Sequence, residues 1–165
     1  MADTIDPDLA MAFAKMFRSF TLNRLYAAKA KKDGSLLLSR LLYSIARSEE
    51  IHAHRALMYL RDKIEDPYKY LESLLHTKDE NASINYPRIC KRYDKAGKKK
   101  AAEAFDQFGS VEKTHLKLLK KVLQEDVDDS INYYVCQICG HIAVDRIPQK
   151  CPVCNAVQEK FRMEC

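Results

Sequence analysis

Glu49-Glu50-Ile51-His52 and Glu112-Lys113-Thr114-His115 are two Glu-x-x-His words in one chain. On an α-helix residues three apart share a face, so each word aims one carboxylate and one imidazole at a common point. Two such words on facing helices supply four ligands: Glu49, His52, Glu112 and His115. Four-helix bundles hold iron or manganese with this pattern, completed by a lone Glu from each of the other two helices. A second constellation, Cys136-x2-Cys139-x11-Cys151-x2-Cys154, places four thiols in two knuckles near the C-terminus. The chain therefore carries two candidate metal sites.

Working outward, the rest of the sequence reads as helix up to the linker before those thiols. Asp6-Pro7 is a helix start, with Asp as cap and Pro where its missing N–H costs nothing. Leu9, Ala12, Phe13, Met16, Phe20, Asn23, Ala27 and Ala30 recur at helical spacing as far as Lys31-Lys32-Asp33-Gly34, a helix stop. A second helix is expected from near Ser35 to about Ile64, with an inward stripe of Leu38, Leu41, Leu42, Ile45, Glu49, His52, Ala56 and Tyr59. Burying Glu49 and His52 without partners would cost several kcal/mol, so they are expected to be paired or metal-bound.

Asp66-Pro67 repeats the start signal. A third helix runs to Gly97 and is expected to kink at Pro87, whose ring clashes with the preceding turn. The fourth takes Ala101, Phe105, Phe108, Val111, Glu112, His115, Leu118, Leu119 and Val122 inward. Four helices of roughly 25 to 30 residues, each about 40 Å long, make an all-α bundle. About five residues join the second and third helices and span at most roughly 18 Å, too little to return along such a bundle. The chain then forms either an up-and-down bundle or, the reading favoured here, a domain-swapped homodimer.

Tyr133-Tyr134-Val135-Cys136 reads as a short strand into the first knuckle, and Phe161 is placed to cover the metal core. A segment of ~35 residues cannot build a sufficient apolar core, so metal is expected to hold it. The expected division is a helical domain over 1–126, an acidic linker over 127–132 and a four-cysteine domain over 133–165.

The composition fits this picture. Four glycines in 165 residues favour helices over a sheet, and 47% hydrophobic residues suffice for a core. No run of about 18 apolar residues and no charged-then-apolar leader is present, which predicts a cytoplasmic protein with no membrane partner. The net charge of +5 is spread along the helices, and its one tight cluster, Lys95, Lys98, Lys99 and Lys100, reads as a solvated helix junction. Nucleic acid is not an expected partner. Six cysteines, four of them in Cys-x2-Cys pairs, read as metal ligands in a reducing compartment. Cys90 and Cys165 are left over, Cys90 as a small apolar side chain in a helix.

Taken together, Leu9-Ala10-x-Ala12-Phe13-Ala14, Ala30-Lys31-Lys32-Asp33-Gly34, Glu49-x-x-His52, Tyr86-Pro87, Glu112-x-x-His115, Cys136-x2-Cys139-Gly140-His141 and Cys151-Pro152-x-Cys154 resemble the rubrerythrins. The resemblance covers nearly the whole chain. It implies a ferritin-like four-helix bundle with a di-iron site, followed by a rubredoxin-like domain with an Fe(Cys)4 centre. It further implies a cytoplasmic dimer that reduces hydrogen peroxide, with electrons from a redox donor protein relayed through the rubredoxin-like iron of a partner chain. Catalytic and metal-ligating roles in the bundle fall on Glu49, His52, Glu112 and His115.

Three positions depart from the family pattern. Counting from the matching motifs, the first-helix glutamate position holds Met16, and the two third-helix positions hold Lys78 and Asn81. A thioether, an ammonium and an amide replace three carboxylates. A charged Lys78 about 4 Å from a divalent ion would be repelled by roughly 8 kcal/mol at an effective dielectric of 20. Two metals are thus disfavoured. A single Fe, Mn or Zn on Glu49, His52, Glu112 and His115, no metal with Lys78 paired to Glu49 and Glu112, and two metals on rearranged ligands are the three outcomes.

Further side chains read more plainly. Met16 is core packing. Tyr86 is either a hydrogen-bonding neighbour of the site, as its family position implies, or a packed ring at the kink. His54, His76 and His141 are expected at the surface. The four cysteines are expected to hold iron, with zinc able to occupy the same geometry. Beside the peroxide-reducing enzyme stand two other readings: a non-enzymatic redox or metal-binding protein whose bundle is a dimerisation scaffold, and a zinc-ribbon interaction module.

Overall fold

The computed structural model describes residues 6–61, 66–124 and 130–164. The chain divides into two compact units, Met1–Glu65 and Asp66–Cys165. The first is a hairpin of α1 (Pro7–Lys32) and α2 (Leu36–Arg61). Asp6 caps α1 with its side-chain oxygen on the amides of Asp8 and Leu9. Gly34 ends α1 at φ +83°, where the Ser35 amide reaches the Ala30 carbonyl at 2.9 Å and the Gly34 amide reaches that of Lys31 at 3.2 Å. Only glycine takes that φ freely, and the crossed bonds satisfy carbonyls that the helix end leaves open.

The seam of the hairpin is built from small residues. Ala27, Ala30, Ala46, Ala53 and Ala56 are buried, and Ser39 Oγ donates to the Ala27 carbonyl at 2.9 Å. Short side chains let the two backbones approach closely, and the larger residues are left on other faces. Leu38 and Leu41, on the stripe expected to point inward, are 49% and 55% exposed. Glu49 is half-buried and His52 exposed on this same stripe. A two-helix hairpin can cover one strip of each helix, and here that strip is the alanine one.

The second unit contains α3 (Pro67–Glu80), a π-helical turn at Asn81–Asn85, α4 (Tyr86–Lys95) and α5 (Lys99–Gln124). Asp66 caps α3 as Asp6 caps α1. The kink expected at Pro87 takes the form of the π turn just ahead of it. Proline has no N–H to give, and its ring would strike the carbonyl four residues back in a regular helix. Widening the turn so that the Tyr86 amide bonds Asn81 O, five residues back, removes the conflict. Gly97, at φ +70°, then closes α4 with the same crossed bonds as Gly34. The packing between α4 and α5 is aromatic: Tyr86 lies 5.7 Å from Phe105 and 6.0 Å from Phe108 between ring centroids, and Tyr93 stacks on Phe105 at 5.7 Å.

The unit ends in a three-stranded antiparallel sheet of order β2-β1-β3, formed by β1 (Tyr133–Cys136), β2 (Ile142–Val144) and β3 (Phe161–Glu164). The expected strand and the burial of Phe161 both hold. The fold class is as expected: four long helical rods of the ferritin-like type, then a small domain around four cysteines. Within the expected linker, 127–129 lie outside the described residues, as does Cys165.

Gly109 sits in the interior of α5, where glycine ordinarily costs helix stability, and a Cβ there would meet Tyr86 Cβ at 3.9 Å, an ordinary contact. Gly109→Ala is therefore expected to stabilise the protein by up to about 1 kcal/mol, measured from the chemical denaturation midpoint; a fall in the midpoint would show that the approach of α4 is tighter than this.

Candidate metal centre

Two structurally equivalent loops bring the thiols together. In the first, the Gly140 amide donates to Cys136 O at 2.9 Å and the Cys136 amide to His141 O at 2.9 Å. In the second, the Asn155 amide donates to Cys151 O at 2.9 Å and the Cys151 amide to Ala156 O at 2.8 Å. Gly140 and Asn155 both take positive φ, as a tight knuckle requires. The four sulfurs lie within 4.8 Å of one another, with Cys139 and Cys151 at 3.5 Å and Cys136 and Cys154 at 3.7 Å. A tetrahedral ion with bonds of ~2.3 Å needs sulfurs about 3.8 Å apart, so the donor set fits a metal held by four sulfurs without rearrangement.

The electrostatics agree. Burial raises the Cys139 and Cys154 thiols above their ordinary range, whereas at Cys136 burial is outweighed by the Cys139 and Ile138 amides, which lower it. The backbone amides of His141 and Ala156 likewise serve Cys139 and Cys154. Amides aimed at sulfur stabilise thiolate, yet four clustered thiols cannot all ionise without a cation among them. This is the arrangement of a tetrahedral four-sulfur metal site, the geometry that both iron and zinc accept.

The other candidate ligands divide between the units. In α2, Glu49 Oε2 and His52 Nδ1 are 4.0 Å apart on one face. In the second unit, Glu112 is buried with its side chain 10% exposed, and Lys78 Nζ lies 3.0 Å from both of its oxygens. The hydrogen bond goes to Oε1; Oε2 lacks a hydrogen bond of its own and faces His115 Nδ1 at 3.5 Å. Burial, then the Lys78 charge, hold the His115 imidazole below its ordinary range against the opposing pull of Glu112 and the Gly140 backbone. Asn81, one turn along, accepts from Asn85 Nδ2 at 3.1 Å. Lys78 thus occupies the carboxylate that a metal would need, and Met16 is half-buried on α1.

His54 and His76 are exposed, as expected. His141, expected at the surface, is half-buried. Its Nδ1 is buried without a hydrogen-bond partner, its ring stands edge-on to Phe161, and burial with the neighbouring His115 lowers its pKa. No local signal in the sequence shows that this knuckle packs on α5. Tyr86 is a packed ring at the helix junction.

The rubrerythrin family model matches residues 8–123, and a model of the rubrerythrin rubredoxin-like domain matches 134–162. The chain belongs to the rubrerythrin family. Among curated proteins it is 28% identical over 179 residues to Rubrerythrin-1 of Clostridium acetobutylicum, covering 94% of this chain and 92% of that one. Nigerythrin of Nitratidesulfovibrio vulgaris is 24% identical over 150 residues, covering 82% and 74%. Among solved structures, nigerythrin in its mixed-valent and its fully reduced, all-ferrous states shares the fold at a TM-score of 0.58 and 20% identity, over 99% of this chain and 91% of nigerythrin. The rubrerythrin assignment accounts for the four-cysteine domain and for the helices that precede it.

Replacing Cys151, which is fully buried in the cluster, should abolish metal binding at the four-cysteine domain. In Cys151→Ser the far-UV helical signal is expected to persist while the sheet amides of Tyr134 and Val135 lose their exchange protection; protected sheet amides in the metal-free variant would show that the domain holds itself together. Lys78→Met leaves Glu112 buried and unpaired and is expected to cost about 1–3 kcal/mol, with Glu112→Gln in the same chain recovering most of it. Additive losses in that double variant would deny the pairing.

Proposed function

We propose that this protein is a one-electron carrier of the rubrerythrin type that reduces peroxide at a bundle site holding one metal ion, where the family pattern has two. The observation that carries the reading is the Lys78 ammonium seated 3.0 Å from Glu112. Lys78 already supplies one positive charge there, and the three substituted positions leave Glu49 and Glu112 as the carboxylates of the family motif. Charge balance then favours one divalent ion on Glu49, His52, Glu112 and His115, a two-carboxylate, two-imidazole set suited to Fe, Mn or Zn.

The bound metals supply the redox chemistry. Hydrogen peroxide takes two electrons and two protons to give two waters, and an external redox donor protein would supply the electrons one at a time, with Cys136, Cys139, Cys151 and Cys154 holding the metal that would accept them. The chain's own groups do the rest. Cys136, Cys139, Cys151 and Cys154 keep their centre largely dry, with amides turned to the sulfurs. Lys78 holds a proton and a positive charge at Nζ beside Glu112, placed to receive an anionic oxygen species. His115, kept neutral by its surroundings, offers an unprotonated nitrogen to an ion.

The ligand set spans two units joined by residues 62–66. Five residues reach at most roughly 18 Å, against about 39 Å for a helix of 26 residues. With the exposed apolar stripe of α2, this supports an exchanged dimer in which Glu49 and His52 of one chain face Glu112 and His115 of another. Among the described residues no helix is long and apolar enough to cross a membrane, which fits a cytoplasmic site of action.

A second reading, a carrier without bundle metal, is favoured by the same ion pair, since Lys78 can satisfy Glu112 alone. Iron per chain after anaerobic reconstitution separates them. The enzyme reading expects a second iron beyond the one held by the four thiols, together with oxidation of the reduced protein by peroxide; the carrier reading expects neither. A third iron would overturn both. Met16→Glu with Lys78→Glu and Asn81→Glu is expected to admit that third iron if missing negative charge is the cause, and an unchanged stoichiometry would reject the charge argument.

A further inference from the structure

A cleft of about 370 Å³ opens beside Lys78 and His115 within the second unit, and hydrogen peroxide has no use for it. Leu71 and Leu74 of α3 line it together with Leu118, Leu119 and Val122 of α5. Tyr133 and Ile142, from β1 and β2, complete the lining. Apart from the Tyr133 hydroxyl, its polar groups are Lys78 and His115. The order along the helices sorts the two kinds of group. Lys78 follows Leu74 by one turn on α3, and His115 precedes Leu118 and Leu119 by one turn on α5. Lys78 also meets Glu112 of α5 at 3.0 Å, so the polar groups share one end. From that end each apolar stripe runs on for seven residues, about 10 Å of helix.

The polar end has hydrogen-bonding capacity to spare. An ammonium carries three donors, and the bond from Lys78 Nζ to Glu112 Oε1 uses one of them. Glu112 Oε2 is buried and accepts no hydrogen bond, in a side chain that is nine-tenths buried. A hydroperoxide head matches this set, with an O–H to give to Glu112 Oε2 and oxygens to accept from Lys78 Nζ. Hydrogen peroxide offers the same head but no carbon, so the leucines gain nothing from it. A helix with its side chains is about 10–12 Å across, and a single turn of it takes up roughly 400 Å³ or more. The α2 helix of a second copy can therefore lie over this cleft but not enter it whole, whereas the volume is that of a small-molecule pocket.

We propose that the preferred substrate of this site is an organic hydroperoxide with an unbranched hydrocarbon body, its head at Lys78 and Glu112 and its chain along Leu74, Leu118, Leu119 and Val122. This rests on the peroxide-reducing reading above and names its substrate class. The O–O bond breaks. Two electrons from the external redox donor protein and two protons go to the two oxygens, leaving one alcohol and one water.

The test uses the iron-loaded full-length chain, reduced and mixed rapidly with hydrogen peroxide or with ethyl, butyl, hexyl or octyl hydroperoxide. The second-order rate of reoxidation is expected to rise roughly fourfold for each methylene buried and to level off once the chain fills the cleft. Octanol, the product alcohol, is titrated into the same protein by calorimetry, where binding with a negative heat-capacity change is expected. Val122→Phe narrows the cleft without adding a polar group and is expected to bring the levelling-off at a shorter chain. Leu118→Asn is expected to lower the ratio of the octyl hydroperoxide rate to the hydrogen peroxide rate at least tenfold. Equal rates along the series, hydrogen peroxide included, overturn the proposal and leave the peroxide reading standing; that result is the one expected if side chains of a second copy's α2 fill the cleft. A rise with chain length that survives Val122→Phe unchanged, or that comes without octanol binding, also overturns it, since the gain then arises elsewhere. Reoxidation by none of the peroxides overturns the peroxide reading and this substrate assignment together.

Discussion

The interaction on which the rest turns is the ion pair between Lys78 and Glu112, 3.0 Å long and mostly out of water. A buried carboxylate is costly unless something positive faces it, and in a di-iron bundle that something is metal. Here the sequence has placed an ammonium on α3 opposite the carboxylate on α5. Set against the carboxylate that the family resemblance implies at this position, the ammonium is a swing of two charge units. Met16 and Asn81 extend the same trend, since neither a thioether nor an amide carries charge. At an effective dielectric near 20 a divalent ion about 4 Å from the ammonium meets roughly 8 kcal/mol of repulsion, more than any one added ligand recovers.

The architecture around that pair is divided. The first unit spends its small residues on its own seam: Ala27, Ala30, Ala46, Ala53 and Ala56 lock α1 to α2, and Ser39 ties the two backbones with a hydrogen bond. What remains on α2 is a stripe of Leu38, Leu41 and Ile45 running into Glu49 and His52. Large exposed apolar stripes of this kind mark interfaces. The second unit has its own aromatic packing in Tyr86, Tyr93, Phe105 and Phe108, and it carries the Glu112 and His115 pair, the more buried of the two Glu-x-x-His words. The contrast between a polar pair still open to solvent on α2 and a buried, pre-arranged pair on α5 is a contrast in what each unit can bury by itself.

Much of this was legible in the residues. Asp6-Pro7 and Asp66-Pro67 marked two helix starts, and Gly34 and Gly97 two stops, because caps and positive φ are local requirements that the sequence must meet where they occur. The thiol spacing gave the knuckles for the same reason. The Pro87 conflict was visible, but its resolution as a π turn five residues long depended on how α4 packs on α5, which no local rule states. Glu49 and His52 were assigned to an inward stripe by periodicity; periodicity gives a face, not which of two faces a hairpin will close. His141 was misread for a related cause. A histidine after a knuckle looks exposed until the helix that covers the knuckle is known.

That covering helix is the last step of the synthesis. Val111, His115, Leu118 and Val122 fall at intervals of four, three and four, which is one continuous face of α5. The face begins in the apolar core around the thiols, passes through an imidazole and ends in the wall of an apolar cleft. Glu112 lies one residue from Val111 and three from His115, on the flank turned to Lys78. A single helix therefore anchors the small metal domain on one edge and presents the buried carboxylate on the next. Any shift of α5 along its axis would disturb both at once, so the position of the four-cysteine domain and the charge at Glu112 are fixed by the same packing.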